Sequence, residues 1–166
     1  LMYTGYAAFN GPFVIRYPRG KGEMKDWRNE MQVLPIGKGK KLRDGDDIAV
    51  LSIGPIGNEV IKAIEMVKEE GVSIAHYDMI YLKPLDGELL HEIGRKYNRI
   101  ITVENGVIKG GFGSAVLEFM ADNGYTPHVK RIGVPDAFIE HGSIPELYQL
   151  CGMDAESIAK QLKKEN

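Results

Sequence analysis

Cysteine occurs once in the 166 residues, at Cys151, which excludes an internal disulfide and any metal site built from cysteines alone. Histidine is scarce as well: His76, His91, His128 and His141 stand at no spacing that suits a shared metal ion. No apolar run approaches the ~20 residues of a bilayer span, so no membrane segment is expected. An excess of either charge is missing too. Lys and Arg number 21 against 23 Asp and Glu, and the formal net charge of −2 gives no general attraction to nucleic acid or to an acidic membrane. Any basic site must be local. The opening LMYTGYAAFNGPF has neither a basic start nor a long apolar segment, so no signal peptide is read there, and a cytoplasmic location is the expectation. It also lacks a methionine at position 1 and begins in mid-pattern, as expected of a piece cut from something longer.

What is present is enough for one globular core, since 43% of the residues are hydrophobic. From Ile48 onward the pattern is regular. IAVLSIG is a near-continuous apolar run ending in Gly54, and NEVIKAIEMVKEEG carries Val60, Ile61, Ile64 and Val67 at helical spacing before Gly71 as a stop. VSIAHYDM reads as a second strand, and LDGELLHEIGRKYN as a helix with Leu89, Leu90, Ile93 and Tyr97 on one face. RIITVE, GSAVLEFMADNG and PHVKRIGV continue as strand, helix, strand. Two short helices close the chain. SIPELYQLCG opens with Ser143 and Glu146 in capping-box positions, and the last helix starts at Asp154 with Ile158 and Leu162 on its apolar face. Alternating helices and β-branched strands predict an α/β domain, three layers around a mostly parallel sheet, over residues 44–166.

The first 44 residues do not share that plan. LMYTGYAAF looks like the end of a helix and PFVIRY like a strand, while the stretch from Lys21 to Gly45 is rich in glycine and charge. A lone helix end and a lone strand cannot bury themselves. Residues 1–17 are therefore expected to belong to a preceding domain, and residues 18–43 to form a linker and a short hairpin, IGKGKKLRDG, leading into the second domain. No internal repeat or low-complexity segment occurs.

Several residues could carry chemistry. Arg16 and Arg19 lie where a strand over Val14–Tyr17 would run out into a loop, and carboxyl ends of strands in open α/β sheets face the ligand crevice. A guanidinium there can grip a phosphate or carboxylate through two parallel hydrogen bonds, with Gly20 allowing close backbone approach; a pair of surface arginines bridging two domains remains the alternative. ENGVIKGGFGS runs from strand through glycines into a helix, yet it has no Gly-Lys-Ser/Thr ending. Glycines 106, 110, 111 and 113 also miss the dinucleotide fingerprint, so a structural turn is expected rather than a phosphate loop. His141, before a helix cap, is read as a hydrogen-bonded structural residue rather than a base, because no nucleophile can be set beside it. Asp136 is read as a turn or cap residue, and Lys83 before Pro84 as a loop into a helix. Trp27 is expected to pack on a neighbouring surface. No catalytic, cofactor or metal ligand is assigned from the residues themselves.

GPFVIRYPRG, then LPIGKGKKLRDGDDIAVLSIG, YLKPLD, ITVENGVIKGGFGSAV, IGVPDAFIEHGS and LYQLCGMDAESI together resemble the carboxyl-terminal part of 1-deoxy-D-xylulose-5-phosphate synthases, over essentially the whole chain. RYPRG alone is shared with wider transketolase-like enzymes; its combination with LPIGKG, GGFGSAV and GMDAESI is specific. The resemblance implies a transketolase-type carboxyl-terminal domain preceded by the last helix and strand of a pyrimidine-binding domain. It also implies an enzyme that joins pyruvate to D-glyceraldehyde 3-phosphate with loss of carbon dioxide, using thiamine diphosphate and Mg2+ as a homodimer, on the way to isoprenoid, thiamine and pyridoxal precursors. By the same resemblance Arg19 is the residue expected to hold the phosphate of glyceraldehyde 3-phosphate, with Arg16 supporting the strand end or the domain junction. The family's Gly-Asp-Gly motif, activating glutamate and upstream histidines do not occur in this sequence, so the chain is expected to bind no cofactor and to be inactive alone. Two other readings stand beside this one: an assembly domain like those of 2-oxo acid dehydrogenase β subunits, and a free-standing nucleotide-binding domain, against which the missing glycine fingerprint counts.

Overall fold

A computed structural model describes residues 1–18, 22 and 28–163, and the chain divides into two compact units, Leu1–Ile36 and Gly37–Asn166. In the first unit, Met2–Ala8 form helix α1, whose buried Thr4 hydroxyl accepts a hydrogen bond from the Leu34 amide at 2.9 Å. Phe9 and Phe13 meet edge to face at 5.5 Å between ring centroids. The strand expected over Val14–Tyr17 does not form, and Val14 and Tyr17 are exposed. Local β-propensity is insufficient without a neighbouring strand to satisfy the backbone.

The second unit is built on a five-stranded sheet: β1 (Lys40–Arg43), β2 (Ile48–Ile53), β3 (Ile74–Asp78), β4 (Arg99–Val107) and β5 (His128–Val134), in the spatial order β1-β3-β2-β4-β5. All pairings are parallel except that of β1, which lies antiparallel on β3 with Lys40 opposite Asp78. Residues 40–43 are thus an edge strand of the sheet, not part of a separate hairpin, and the compact unit begins at Gly37 rather than near Asp44. The turn after β1 explains why the edge is fixed. A Cβ on Gly45 would stand 2.2 Å from the Ala75 amide nitrogen, and its carbonyl accepts hydrogen bonds from Tyr97 Oη at 2.6 Å and Lys96 Nζ at 2.9 Å.

The helices are α2 (Gly57–Met66), α3 (Gly87–Lys96), α4 (Phe112–Asp122), α5 (Ile144–Leu150) and α6 (Ala155–Leu162). Successive residues of β2 point to opposite faces. Ile48 and Val50 join Val60 and Ile64 of α2 and Ile158 and Leu162 of α6; Ala49 and Leu51 join Leu90 and Ile93 of α3 and Phe112 and Val116 of α4. The result is three layers, as the run of branched apolar residues predicts, with each fully buried Leu or Ile worth about 2 kcal/mol in apolar transfer. Helix α2 stops at Met66 and gives way to a 3-10 turn, Lys68–Glu70, before Gly71 turns the chain at φ 71°.

Candidate functional site

Strand β2 sits at the centre of the parallel strands, with β3 on one side and β4 on the other. The chain therefore reverses its winding direction at β2/β4, where open α/β sheets form a crevice beyond the carboxyl ends. Besides Thr102, two polar groupings of these strands are buried there. Ser52 Oγ lies 2.8 Å from His76 Nε2, and both residues are 1% exposed. Burial pushes the imidazole from its ordinary 6.5 down to about 4, so the ring is neutral at physiological pH. A serine beside a neutral histidine could suggest a nucleophile. Neither atom reaches solvent, and Gly57 at the start of α2 closes over the hydroxyl, with room for a Cβ only at 2.9 Å from Oγ. The pair links β2 to β3 and is not open to a substrate.

The second buried group is Glu104, at 5% exposure on β4. Its Oε2 accepts a hydrogen bond from Phe112 N at 2.9 Å and its Oε1 from Gly113 N at 2.8 Å, so the carboxylate occupies the amino-terminal end of α4. The glycines of GVIKGGFGS exist to let that happen. A Cβ on Gly111 would come within 2.3 Å of Glu104 Oε2, and one on Gly113 within 2.5 Å of Thr102 Oγ1. Arg131 fastens the loop from outside, donating from Nη1 to Ile108 O and to Ser114 Oγ, both at 2.8 Å. The stretch is the structural turn that its glycine spacing predicts, and its anion is the protein's own.

Helices α3, α5 and α6 also carry side-chain caps, whereas α2 begins at Ile56 without one. Asp86 caps α3, accepting from Leu89 N at 3.2 Å and also from Gly39 N at 3.0 Å, which ties the chain before β1 to that helix. Ser143 N donates to Glu146 Oε2 at 2.9 Å, closing the capping box of α5. Asp154 caps α6 through Ser157 N at 3.2 Å, and Glu59 of α2 accepts from Ala155 N at the same distance. From α3 to α6 each helix start has at least one amide engaged by a side chain of the chain.

The residues singled out in the sequence fall as follows. Arg19, the expected phosphate ligand, lies outside the described residues, as does Trp27. Arg16 is exposed in the first unit, whose described residues form no strand. His141 is exposed, and the entrance of α5 is served by Ser143 and Glu146 instead. Asp136 lies in a turn and pairs with Lys109 at 3.1 Å. Lys83 precedes a cis Pro84 in the loop that leads to α3. Sequence reasoning missed Ile80, a β-branched residue at φ 55° just beyond β3, whose amide is held by Asp78 Oδ1 at 3.1 Å. Burial raises the Asp78 carboxyl above its ordinary range. No glycine or asparagine marks that turn, so nothing local announces it. Among the described residues, no three His, Cys, Asp or Glu side chains converge on a metal position, and no helix is long and apolar enough to cross a membrane.

Comparison with known proteins places these features. The family model described as transketolase, C-terminal domain, matches residues 37–158. The chain is 98% identical over all of its 166 residues to a 1-deoxy-D-xylulose-5-phosphate synthase of Parabacteroides distasonis, covering 26% of that protein. It is 60% identical, over 99% of its length, to the enzyme of the same name from Bacteroides thetaiotaomicron, again covering 26% of the relative. The chain thus spans about a quarter of the length of these curated relatives. Among solved structures, a split-gene transketolase in the form of an inactive β4 tetramer superposes with a TM-score of 0.70 at 30% identity, over 80% of this chain and 44% of the other. A transketolase from Campylobacter jejuni shares the fold alone, with a TM-score of 0.56 at 12% identity, over 75% of this chain and 18% of the other.

Proposed function

The chain belongs to the transketolase C-terminal domain family, and from that premise we propose that it is the carboxyl-terminal part of a 1-deoxy-D-xylulose-5-phosphate synthase. That enzyme would be a cytoplasmic homodimer condensing pyruvate with D-glyceraldehyde 3-phosphate, with release of carbon dioxide. The observation that carries the reading is 98% identity, over all 166 residues, to a protein of that name.

Thiamine diphosphate and Mg2+ belong to this proposed chemistry, and among the described residues no three His, Cys, Asp or Glu side chains converge to hold a metal. A diphosphate needs open amides or cations and its metal needs converging carboxylates. Here Asp86, Glu104, Asp154 and Glu59 engage amides at the starts of α3, α4 and α6, while α2 begins without a side-chain cap. We assign the cofactor to polypeptide beyond this chain because the resembled family's Gly-Asp-Gly motif does not occur in this sequence. Within the chain the contribution to the reaction is Arg19, whose fork of donors would hold the phosphate of the aldehyde substrate through charge-assisted hydrogen bonds. The second unit supplies a rigid body rather than reacting groups.

The test is activity of the longer polypeptide against that of the 166 residues alone, each supplied with pyruvate, glyceraldehyde 3-phosphate, thiamine diphosphate and Mg2+. Product is expected only from the longer one. Turnover by the 166 residues would overturn the division of labour, and absence of turnover from the longer polypeptide would overturn the assignment. The alternative of an assembly domain from a 2-oxo acid dehydrogenase is not favoured by the relatives described above, both of which are named 1-deoxy-D-xylulose-5-phosphate synthase.

A further inference from the structure

An asparagine followed by glycine is a chemically labile pair, because the glycine amide nitrogen, with no side chain beside it, can reach the asparagine Cγ. The sequence holds three such pairs, Asn10–Gly11, Asn105–Gly106 and Asn123–Gly124. Their dipeptide chemistry is the same, so the fold is what separates them. Attack requires the asparagine backbone and side chain to turn until nitrogen and carbon face each other at about 3 to 3.5 Å, and every native hydrogen bond that opposes the turn must first break.

Two of the pairs are held. Asn105 is half-buried within β4, and its Nδ2 donates to Tyr148 Oη at 3.2 Å. Asn123 is the carboxyl cap of α4, its Nδ2 donating to Phe119 O at 2.8 Å and its own amide bonded back to the helix. The nucleophile there is engaged as well, Gly124 N donating to Ala121 O at 3.1 Å.

Asn10 stands in different surroundings. Helix α1 ends at Ala8, Phe9 is already extended, and the ring contact of Phe9 with Phe13 closes the turn so that Asn10, Gly11 and Pro12 are exposed at its tip. Among the described residues no hydrogen bond holds the Asn10 side chain or the Gly11 amide.

We propose that Asn10 is a site of self-modification, at which the folded chain deamidates through a cyclic imide. The Gly11 nitrogen bonds to Asn10 Cγ and gives up its proton, the Cγ–NH2 bond breaks, and ammonia leaves with that proton. Water then adds to one of the two imide carbonyls and reopens the ring. Entry at the side-chain carbonyl leaves aspartate at position 10, whereas entry at the backbone carbonyl leaves isoaspartate, with the main chain rerouted through the side chain. Water is the one co-reactant. Either product adds a negative charge to the tip, and isoaspartate also lengthens the main chain by one carbon ahead of the stretch that carries Arg16.

Peptide mapping decides it, on the 166-residue chain aged at neutral pH in buffer and in concentrated urea. Trypsin separates the three pairs into peptides 1–16, 100–109 and 110–130, and ammonia loss with water gain is read as a mass increase in each. In urea the three should deamidate within about 3-fold of one another, and in buffer Asn10 should keep its urea rate within that factor while Asn105 and Asn123 slow by at least about 10-fold. Asn10→Gln should abolish the change in peptide 1–16 and leave the other two peptides as they were, because the larger ring closes poorly. Ageing of the longer polypeptide should give the same order of sites. Protection of Asn10 equal to that of Asn105 in either folded protein would overturn the inference, as would deamidation at Asn123 as fast as at Asn10. None of these readouts uses synthase activity, so failure of the enzyme assignment leaves them untouched.

Discussion

Replacing His76 by Gln should flatten the acid side of the chain's stability curve. In the folded protein the imidazole is 1% exposed and bonded to Ser52 Oγ, and burial holds its pKa at about 4 against an ordinary 6.5. Between those two values the unfolded chain takes up a proton that the folded chain refuses. The folded pKa is the lower one, so the stabilising contribution is complete above pH 6.5, is lost as pH falls, and is gone by about pH 4. At ~1.36 kcal/mol for each pH unit between them, the loss comes to about 3 kcal/mol, a large part of a domain's net stability of about 5 to 15 kcal/mol. His76→Gln keeps a polar group near Ser52 and cannot titrate. Urea unfolding of both proteins at half-unit steps from pH 7.5 to 4 gives the two curves, and their difference isolates this residue from the carboxylates common to both. The variant should begin less stable at pH 7.5, from lost packing, and close most of that gap by pH 4. Parallel curves across the window would refute the argument, because they would mean that the imidazole charges equally easily in both states.

Gly45→Ala should cost about 3 kcal/mol or more, since its Cβ would meet backbone atoms of Ile74 and Ala75 at 2.2 Å; Gly71→Ala, at φ 71° in open space, should cost only about 1 to 2 kcal/mol, and urea midpoints compare the two. Glu104→Gln should lose about 2 kcal/mol, because it removes a charge-assisted bond to the α4 amides and sets an NH2 against a backbone N–H; a thermal midpoint equal to wild type would show that the carboxylate is not what holds the helix start. In the longer polypeptide Arg19→Ala should lower kcat/KM for glyceraldehyde 3-phosphate by roughly 10- to 150-fold, the equivalent of a contact of about 1.5 to 3 kcal/mol, with a much smaller loss for unphosphorylated glyceraldehyde. A phosphate-selective loss in Arg16→Ala instead would mean that the other arginine does the gripping.

The legible parts of the fold share one property, that the residues which make an element also report its surroundings. The middles of strands β2 and β4 are buried on both faces, so apolar residues run on without alternation through Ile48–Leu51 and Ile100–Ile101; α3 and α6 are buried on one face, so their apolar residues recur at helical spacing. Strand β1 is exposed along its whole length and reads K-K-L-R, and its partner lies more than 30 residues further on, so nothing nearby distinguishes it from a charged loop. The reverse error falls on Val14–Tyr17, where local propensity suggests a strand that has no neighbour to pair with.

The same distinction separates the polar groups. Glu104 stands at the head of the glycine-rich stretch that it caps, nine residues from Gly113, so a carboxylate at the end of a strand followed by glycines into a helix could have been read as a self-filled anion site. Ser52 and His76 become a pair only through the parallel register of β2 on β3, which no local pattern specifies. Ile80 carries the wrong side chain for its φ and gives no sign of it. Arg19 is proposed by the opposite route, from a short motif whose meaning comes from resemblance, on a stretch with little periodicity. A core announces itself by repetition because many residues must satisfy one constraint. A phosphate contact needs a single guanidinium in a loop, so periodicity cannot reveal it, and a kinetic comparison of the Arg16 and Arg19 variants is the measurement that replaces it.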